Sequence, residues 1–220
     1  MKGILIKAVL IVLFPALALL SSVRVGFTEA FLEWEYSRKD FPKDRWGLDD
    51  RIRLGIAKLG LRAVLSDKGM EEFKASGYFN PREAKHMEDV KRLLSVLFPT
   101  LYILAPLWFL LLLSLRRPKS IGWVLVLSGT FAEFLSILFI IISLTNYGWL
   151  FATFHNYIFD PYSWRFRYED MLLRVYPMKF WFDATVFTFV LTVVISSLSQ
   201  MVGFVLVKSN LQNQKVHQSL

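Results

Sequence analysis

Four long apolar runs constrain this chain more than any other feature of its sequence. They predict membrane-spanning helices over residues 4–23, 93–115, 121–145 and 183–207. Each run is close to the roughly 20 residues that a helix needs to cross about 30 Å of hydrocarbon. A hydrophobic fraction of 55% also excludes a disordered chain or an ordinary soluble protein. The patterns therefore predict an all-α integral membrane protein built on a four-helix transmembrane bundle.

The first apolar run has a second interpretation. Ala16, Leu17 and Ala18 resemble the small-residue cleavage site of a signal peptide. The run is longer than the usual apolar core of a signal peptide, and Pro15 lies within it. These features favour a retained first span, and cleavage stays the alternative.

Basic residues next to the spans predict how the chain is oriented. The short link 116–120 and the tail 208–220 carry lysine and arginine but no acidic residue, and Lys2 and Lys7 lie at the first span. Such flanks are typical of the cytoplasmic side. Both termini are then cytoplasmic, and segments 24–92 and 146–182 lie outside. The net charge of +8 is explained by this topology, so we expect no nucleic-acid partner.

Segment 24–92 is predicted to form an extracytoplasmic helical layer. Asp49 is a suitable N-cap for a helix that runs to about Val64. The 3.6-residue period places one group of side chains on an apolar stripe: Ile52, Ile56, Leu59 and Ala63. It places a second group on the remaining surface: Arg51, Arg53, Lys58 and Arg62. That surface faces either water or anionic headgroups.

The complete absence of cysteine limits the possible chemistry. It excludes thiol catalysis, acyl-thioester intermediates and cysteine-based zinc sites. The outer segments must also be built without disulfides. Catalysis, if there is any, must use other side chains.

Two of the three histidines lie just beyond apolar runs, on the predicted outer side. Asn80, Pro81 and Glu83 have the pattern of a helix start, with Asn80 as N-cap and Glu83 closing a capping box. A helix that begins there carries His86 toward the second span. Asp89 shares a face with His86 and could orient its ring. His155 follows the third span, so both imidazoles are expected at one interface, where they could exchange protons with a lipid ester or headgroup.

Segment 146–182 is rich in aromatic residues and is predicted to lie in the outer membrane interface. Its functional interpretation is a lipid-binding wall around His155, and its structural alternative is an ordinary aromatic belt. The candidate lipid-binding residues of this segment are Phe154, Trp164, Arg165, Arg167, Arg174 and Trp181. The arginines could hold anionic or carbonyl oxygens, or could snorkel or pair with nearby acids. Glu133, in the middle of a span, is a further candidate for the site or a structural glutamate.

Several of these residues together resemble a known family. Residues 79–83 with 86–91 are similar to one signature of the bacterial lipoprotein intramolecular transacylase family of integral membrane proteins. Residues 154–159, Trp164, 172–177 and 180–181 are similar to a second signature. The four-span layout agrees with it.

The resemblance implies an enzyme of the bacterial cell membrane with its active site at the extracytoplasmic face. Its reaction moves the sn-2 O-acyl chain of S-diacylglyceryl-cysteine to the α-amino group of the same lipoprotein, which gives the lyso form. The paired histidines of the family fall on His86 and His155. Its partners would be the lipoprotein substrate and membrane lipids, with no cofactor and no metal. No oligomeric state is predicted.

The residues suit this chemistry, since one histidine could act as a base for the amine and the other as an acid for the leaving glycerol oxygen. We expect His155 to be the base and His86 the acid or oxyanion stabiliser, with Asp89 orienting His86. Two other interpretations stay open. One is a metal-dependent membrane hydrolase that uses both histidines and a carboxylate, although no His-Glu-x-x-His spacing is present. The other is a non-enzymatic membrane scaffold or lipid-binding protein.

Overall fold

The computed structural model describes the backbone of residues 2–218 and the side chains of residues 3–209. Within that range the chain is entirely helical apart from its loops. The helices are α1 (Lys2–Gly26), α2 (Glu29–Ser37), α3 (Asp50–Leu65), α4 (Asp67–Ala75), α5 (Pro81–Ser114), α6 (Pro118–Ile158), α7 (Met171–Val175) and α8 (Met178–Gln218). Helices α1, α5, α6 and α8 are long and apolar enough to cross a membrane. The predicted all-α fold with four candidate spans is confirmed.

The chain divides into two compact units. The first unit combines Met1–Val23, Pro99–Ile141 and Thr188–Leu220. Its buried core draws on several helices: Leu10, Phe14, Leu17, Ala18, Leu101, Trp108, Leu112, Val124, Leu125 and Ala132. The Trp108 indole N–H donates a 2.8 Å hydrogen bond to the Leu10 carbonyl, which satisfies the one polar atom of that side chain.

Two glycines let helices of the first unit approach closely. A Cβ on Gly122 would lie 2.6 Å from the carbonyl oxygen of Gly203, and a Cβ on Gly203 would meet the Gly122 oxygen at the same distance. Small residues at such a crossing are a usual means of packing helices in lipid. The contact therefore requires glycine at both positions.

The second unit combines Arg24–Phe98 and Ile142–Phe187. It holds α2, α3, α4 and α7, the first part of α5 and the last part of α6. Its buried apolar residues include Phe31, Leu32, Ile56, Ala57, Phe73, Leu172, Val175 and Tyr176. This unit contains both predicted outer segments and all the histidine chemistry.

In helix α3 the predicted N-cap is confirmed, but the predicted apolar stripe is wrong at two positions. The Asp49 carboxylate accepts hydrogen bonds from the N–H groups of Arg51 and Ile52, at 2.9 and 3.4 Å. Ile52, however, is 53% exposed, and Arg53 is buried. The prediction was wrong at these two positions because the Arg53 guanidinium donates to backbone carbonyls, including that of Pro42 at 2.6 Å. Such bonds make it possible to bury a cation.

Segment 146–182 is partly helical. Helix α6 changes direction at Asn146, whose φ and ψ of −153° and 72° are not helical. The Asn146 side-chain oxygen accepts a 3.1 Å hydrogen bond from the Trp149 N–H, which is the bond of an N-cap. The predicted tail 208–220 begins inside α8, which continues to Gln218. The side chains of residues 210–220 lie outside the described part of the chain.

Candidate active site

The predicted capping box positions His86. The Asn80 N–H donates to Glu83 Oε2 at 2.7 Å, and the Glu83 N–H donates to Asn80 Oδ1 at 3.0 Å. The second carboxylate oxygen of Glu83 accepts a 2.6 Å bond from the N–H of Leu172, at the start of α7. Glu83 is buried, so its carboxylate fixes the beginning of α5 against α7. His86 follows one turn later on the same helix.

His155 lies in the helical part of α6 beyond the Asn146 kink. Its Nδ1 is 2.8 Å from the carbonyl oxygen of Phe151, one turn earlier. A carbonyl oxygen can only accept, so Nδ1 must carry the hydrogen of this bond. In the neutral ring Nε2 then holds the free lone pair. The backbone thus selects the tautomer in which Nε2 can act as a base.

The two histidine rings lie close together. Their centroids are 5.9 Å apart and their planes differ by 30°. His86 is only 8% exposed, and its Nδ1 is buried without a hydrogen-bond partner among the described residues. Burial of this kind favours neutral imidazole, which is the form that accepts a proton. Two imidazoles that are 69 positions apart in the sequence therefore lie side by side in one cluster.

Aromatic rings surround this pair. Phe151 lies 3.9 Å from the His155 ring, and Trp164 lies 5.0 Å from it, between centroids. Phe159 and Phe166 contact the His86 ring edge-on, at 5.0 and 5.5 Å. Of these rings only Trp164 was a sequence candidate. Phe151, His155 and Phe159 recur every four residues, and this spacing could have identified the first and last as neighbours of the histidine.

Three other candidates lie around the wall in different settings. Phe154 is 49% exposed and contacts His155 edge-on at 5.4 Å. The Arg165 guanidinium lies 5.4 Å from the centre of the Trp164 ring. Trp181 packs on Phe151 at 6.4 Å. Each of the three therefore contacts either His155 or an aromatic ring that packs on His155.

Asp89 lies on α5 near His86 but bonds to another group. Its carboxylate accepts a 2.9 Å hydrogen bond from Lys85 and lies 4.0 Å from Arg92. Since His86 Nδ1 has no partner among the residues described, the structure contains no orienting bond from Asp89 to that nitrogen. Contacts with aromatic rings hold the His86 ring instead.

The remaining arginine candidates are engaged elsewhere. Arg167 is largely exposed and lies 3.8 Å from Glu169. Arg174 donates two 2.9 Å hydrogen bonds to the carboxylate of Asp44. This pairing lowers the pKa of the Asp44 carboxyl to about 2. Arg174 thus has a structural partner 130 residues away in sequence.

One cleft of about 240 Å³ lies beside Arg174 and has several cations in its wall. Lys43 pairs with Asp50, and Lys179 pairs with Asp40 and Asp183. Arg45, in the same wall, lies over the Tyr168 ring at 5.2 Å from its centroid.

Glu133 belongs to the first unit. Its Oε1 accepts a 2.6 Å hydrogen bond from the Ser197 hydroxyl. This bond supports the structural interpretation of the residue. Among the described residues there is also no group of three or more His, Cys, Asp or Glu side chains placed to hold a metal ion.

Sequence reasoning missed a buried carboxyl group in α2. Glu35 is completely buried, and neither of its oxygens has a hydrogen-bond partner in the described part of the chain. Burial, together with the neighbouring Asp183 carboxyl, raises the pKa of Glu35 to about 7. No local pattern distinguishes Glu35 from Glu29 and Glu33 on the same helix, and only tertiary packing buries it.

Comparisons with known proteins bear on this site. A family model described as lipoprotein intramolecular transacylase Lit matches residues 7–181, which include every side chain of the histidine cluster. The chain is also 48% identical over 205 residues to an uncharacterized protein of Aquifex aeolicus (strain VF5), covering 90% of this chain and 93% of that protein. No solved structure matches the chain.

Proposed function

Because the chain belongs to the lipoprotein intramolecular transacylase family, we propose that it moves the sn-2 O-acyl chain of an S-diacylglyceryl-cysteine to the α-amino group of the same lipoprotein. The product is a lyso-form lipoprotein that keeps one O-acyl chain. The observation that carries this proposal is the pair of neighbouring histidine rings, one of them held in a single tautomer.

In the proposed reaction His155 is the base. The neutral amine nitrogen attacks the ester carbonyl carbon, and His155 Nε2 takes a proton from that nitrogen. The resulting tetrahedral oxyanion collapses, a C–N bond replaces the C–O bond, and the leaving glycerol oxygen takes the ring N–H proton of neutral His86. His86 is made neutral again by the proton that His155 took from the amine, so protons balance without a co-reactant. Because amine and ester belong to one molecule, the enzyme gains chiefly from orienting them.

The apolar wall supports a lipid substrate. Phe154, Trp164 and Trp181 offer aromatic surface for the acyl chains, and Arg165 is the arginine best placed to reach a carbonyl or phosphate oxygen above Trp164. Arg174 and Arg167 are less suited to bind a lipid oxygen because each already faces a carboxylate. Asp89 acts on His86 only through its charge in this scheme, since its oxygen bonds to Lys85.

The proposed topology follows from the charges that flank the spans. Both termini and the link 116–120 would be cytoplasmic, and the second unit would lie at the outer face of the bacterial cell membrane. A diacylated substrate would then reach the histidines sideways from the outer leaflet, without leaving the lipid.

Substitution of each histidine tests the proposal. We expect His155→Ala and His86→Ala each to lower turnover by about 10²–10⁴-fold, because each removes a proton-transfer group. The measurement is mass spectrometry of the N-terminal lipopeptide of a reporter lipoprotein incubated with purified enzyme. His217→Ala, which changes a histidine outside residues 7–181, is the matched control and should keep full activity.

Two outcomes would favour the other interpretations. Normal lyso-form yields from both variants would remove the histidine mechanism and support a scaffold or lipid-binding role. Loss of activity on treatment with EDTA, with recovery on adding zinc, would support a metal-dependent enzyme. We expect activity in EDTA to equal that of the untreated enzyme.

A further inference from the structure

The ring nitrogen atoms in and around His155 differ in whether they have a hydrogen-bond partner. His155 Nδ1 has its partner in the Phe151 carbonyl. Two buried nitrogens near it, His86 Nδ1 and Trp164 Nε1, have no hydrogen-bond partner in the described chain. Their rings lie 5.9 and 5.0 Å from that of His155, between centroids. Two unsatisfied polar atoms thus lie in one aromatic cluster.

An unsatisfied buried N–H is costly, at about 1–3 kcal/mol, and such groups are few in native proteins. The indole N–H of Trp164 is a donor only, so it requires an acceptor. The aromatic side chains that surround the pair provide no acceptor oxygen. A substrate that carries an acceptor oxygen would satisfy the Trp164 N–H.

We propose that Trp164 is a catalytic residue whose indole N–H donates a hydrogen bond to the carbonyl oxygen of the scissile ester. This inference rests on the proposed acyl-transfer function and adds to it the residue that stabilises the oxyanion. When the amine attacks, negative charge develops on that oxygen, and a donor already in position stabilises the charge without rearranging. Buried surroundings with few other dipoles strengthen the interaction.

Arg165 completes this arrangement. Its guanidinium lies over the Trp164 ring at 5.4 Å from the centroid. A cation over the ring face withdraws electron density and makes the indole N–H a better donor. Trp164 thus contributes by donating a hydrogen bond as well as by contacting lipid. His86, whose Nδ1 is also unsatisfied, is left to serve the leaving glycerol oxygen.

Trp164→Phe is the direct test, because phenylalanine keeps an aromatic ring and removes the donor. We expect kcat for lyso-form production to fall by about 10²–10³-fold, as for loss of one oxyanion donor, while KM changes by less than threefold. Trp46→Phe is the matched control. Trp46 is half exposed, packs on Arg174, and should keep normal kcat and KM.

A Trp164→Phe enzyme with kcat within threefold of the wild type would overturn the inference. If that variant loses its thermal unfolding transition, Trp164→His decides the matter, because it restores a ring N–H. A kcat of folded Trp164→His within tenfold of the wild type supports the donor role, and a loss of 10²-fold or more overturns it. An inactive wild type or a fully active His155→Ala enzyme would instead overturn the proposed function itself, and the inference with it.

Discussion

At the scale of single residues, Glu35 shows how a charged group is placed where its ionised form is disfavoured. It lies close to the Asp183 carboxyl, with Arg38 3.8 Å from Glu35 and 3.7 Å from Asp183. Lys179 donates to Asp183 at 2.7 Å. If Glu35 and Asp183 were both ionised, two negative charges would face each other in a buried site. A proton on Glu35 removes that repulsion, which is why burial and Asp183 together raise its pKa.

This raised pKa predicts a loss of stability with increasing pH. The pKa of Glu35 rises from 4.5 to about 7 on folding, so the folded state binds its proton more tightly than the unfolded state. The stabilisation is fully present below pH 4.5 and is lost as the pH rises through about 7. In the wild type we expect the free energy of unfolding to fall by about 3 kcal/mol over this pH range. Glu35→Gln, which is neutral at every pH, should not show this fall.

The measurement is thermal unfolding in detergent at pH 5 and pH 8. Glu33→Gln is the control, because Glu33 is on the same helix but is exposed and paired with Lys58. That control should keep the pH dependence of the wild type. A Glu35→Gln protein with the same pH dependence as the wild type would show that Glu35 titrates normally.

At the scale of elements, the start of α5 joins local and tertiary structure in one side chain. The Glu83 carboxylate accepts one N–H from its own capping box and one from α7. The first bond depends only on sequence neighbours. The second spans 89 residues and ties the helix that carries His86 to the segment that follows the aromatic wall.

We expect Glu83→Ala to lower the free energy of unfolding by about 2–4 kcal/mol, because two N–H groups lose a charged acceptor. Acyl-transfer activity should fall as well, since His86 lies one turn further along α5. Glu88→Ala is the control, because Glu88 forms only an exposed pair with Lys74, which is worth about 0–1 kcal/mol. Thermal unfolding and lipopeptide yield measure the two effects. Equal losses from both variants would contradict the role given to Glu83.

At the scale of the whole molecule, the proposed orientation can be tested with thiol labelling. The chain has no cysteine, so a single introduced thiol has no background. We expect Lys43→Cys, at an exposed position of the second unit, to react with a membrane-impermeant maleimide on intact spheroplasts. Lys119→Cys, in the predicted cytoplasmic region between two spans, should react only after lysis.

The reverse labelling pattern would place the histidine pair on the cytoplasmic side. The proposed substrate carries its lipid in the outer leaflet, so that result would also remove the proposed route of entry. Labelling of both variants before lysis would indicate leaky spheroplasts, which a cytoplasmic marker enzyme controls for.

How much could be predicted from the sequence depended on how local the interaction is. The spans, the Asp49 cap and the Asn80–Glu83 capping box follow from patterns within a few residues, and each is confirmed by the structure. The predicted stripe of α3 was wrong at Ile52 and Arg53, because the carbonyls of Pro42 and Arg174 accept hydrogen bonds from Arg53 and make its burial possible.

An all-helical chain with four candidate spans and two histidines beside them follows from local sequence alone, because hydrophobic length and caps are local properties. Which side chains meet depends on the packing of the folded chain. It brought His86 to His155, gave Arg174 to Asp44 and left Trp164 Nε1 without an acceptor. Those outcomes depend on packing between segments separated by up to 130 residues, and no local pattern encodes which distant group will fill a given space.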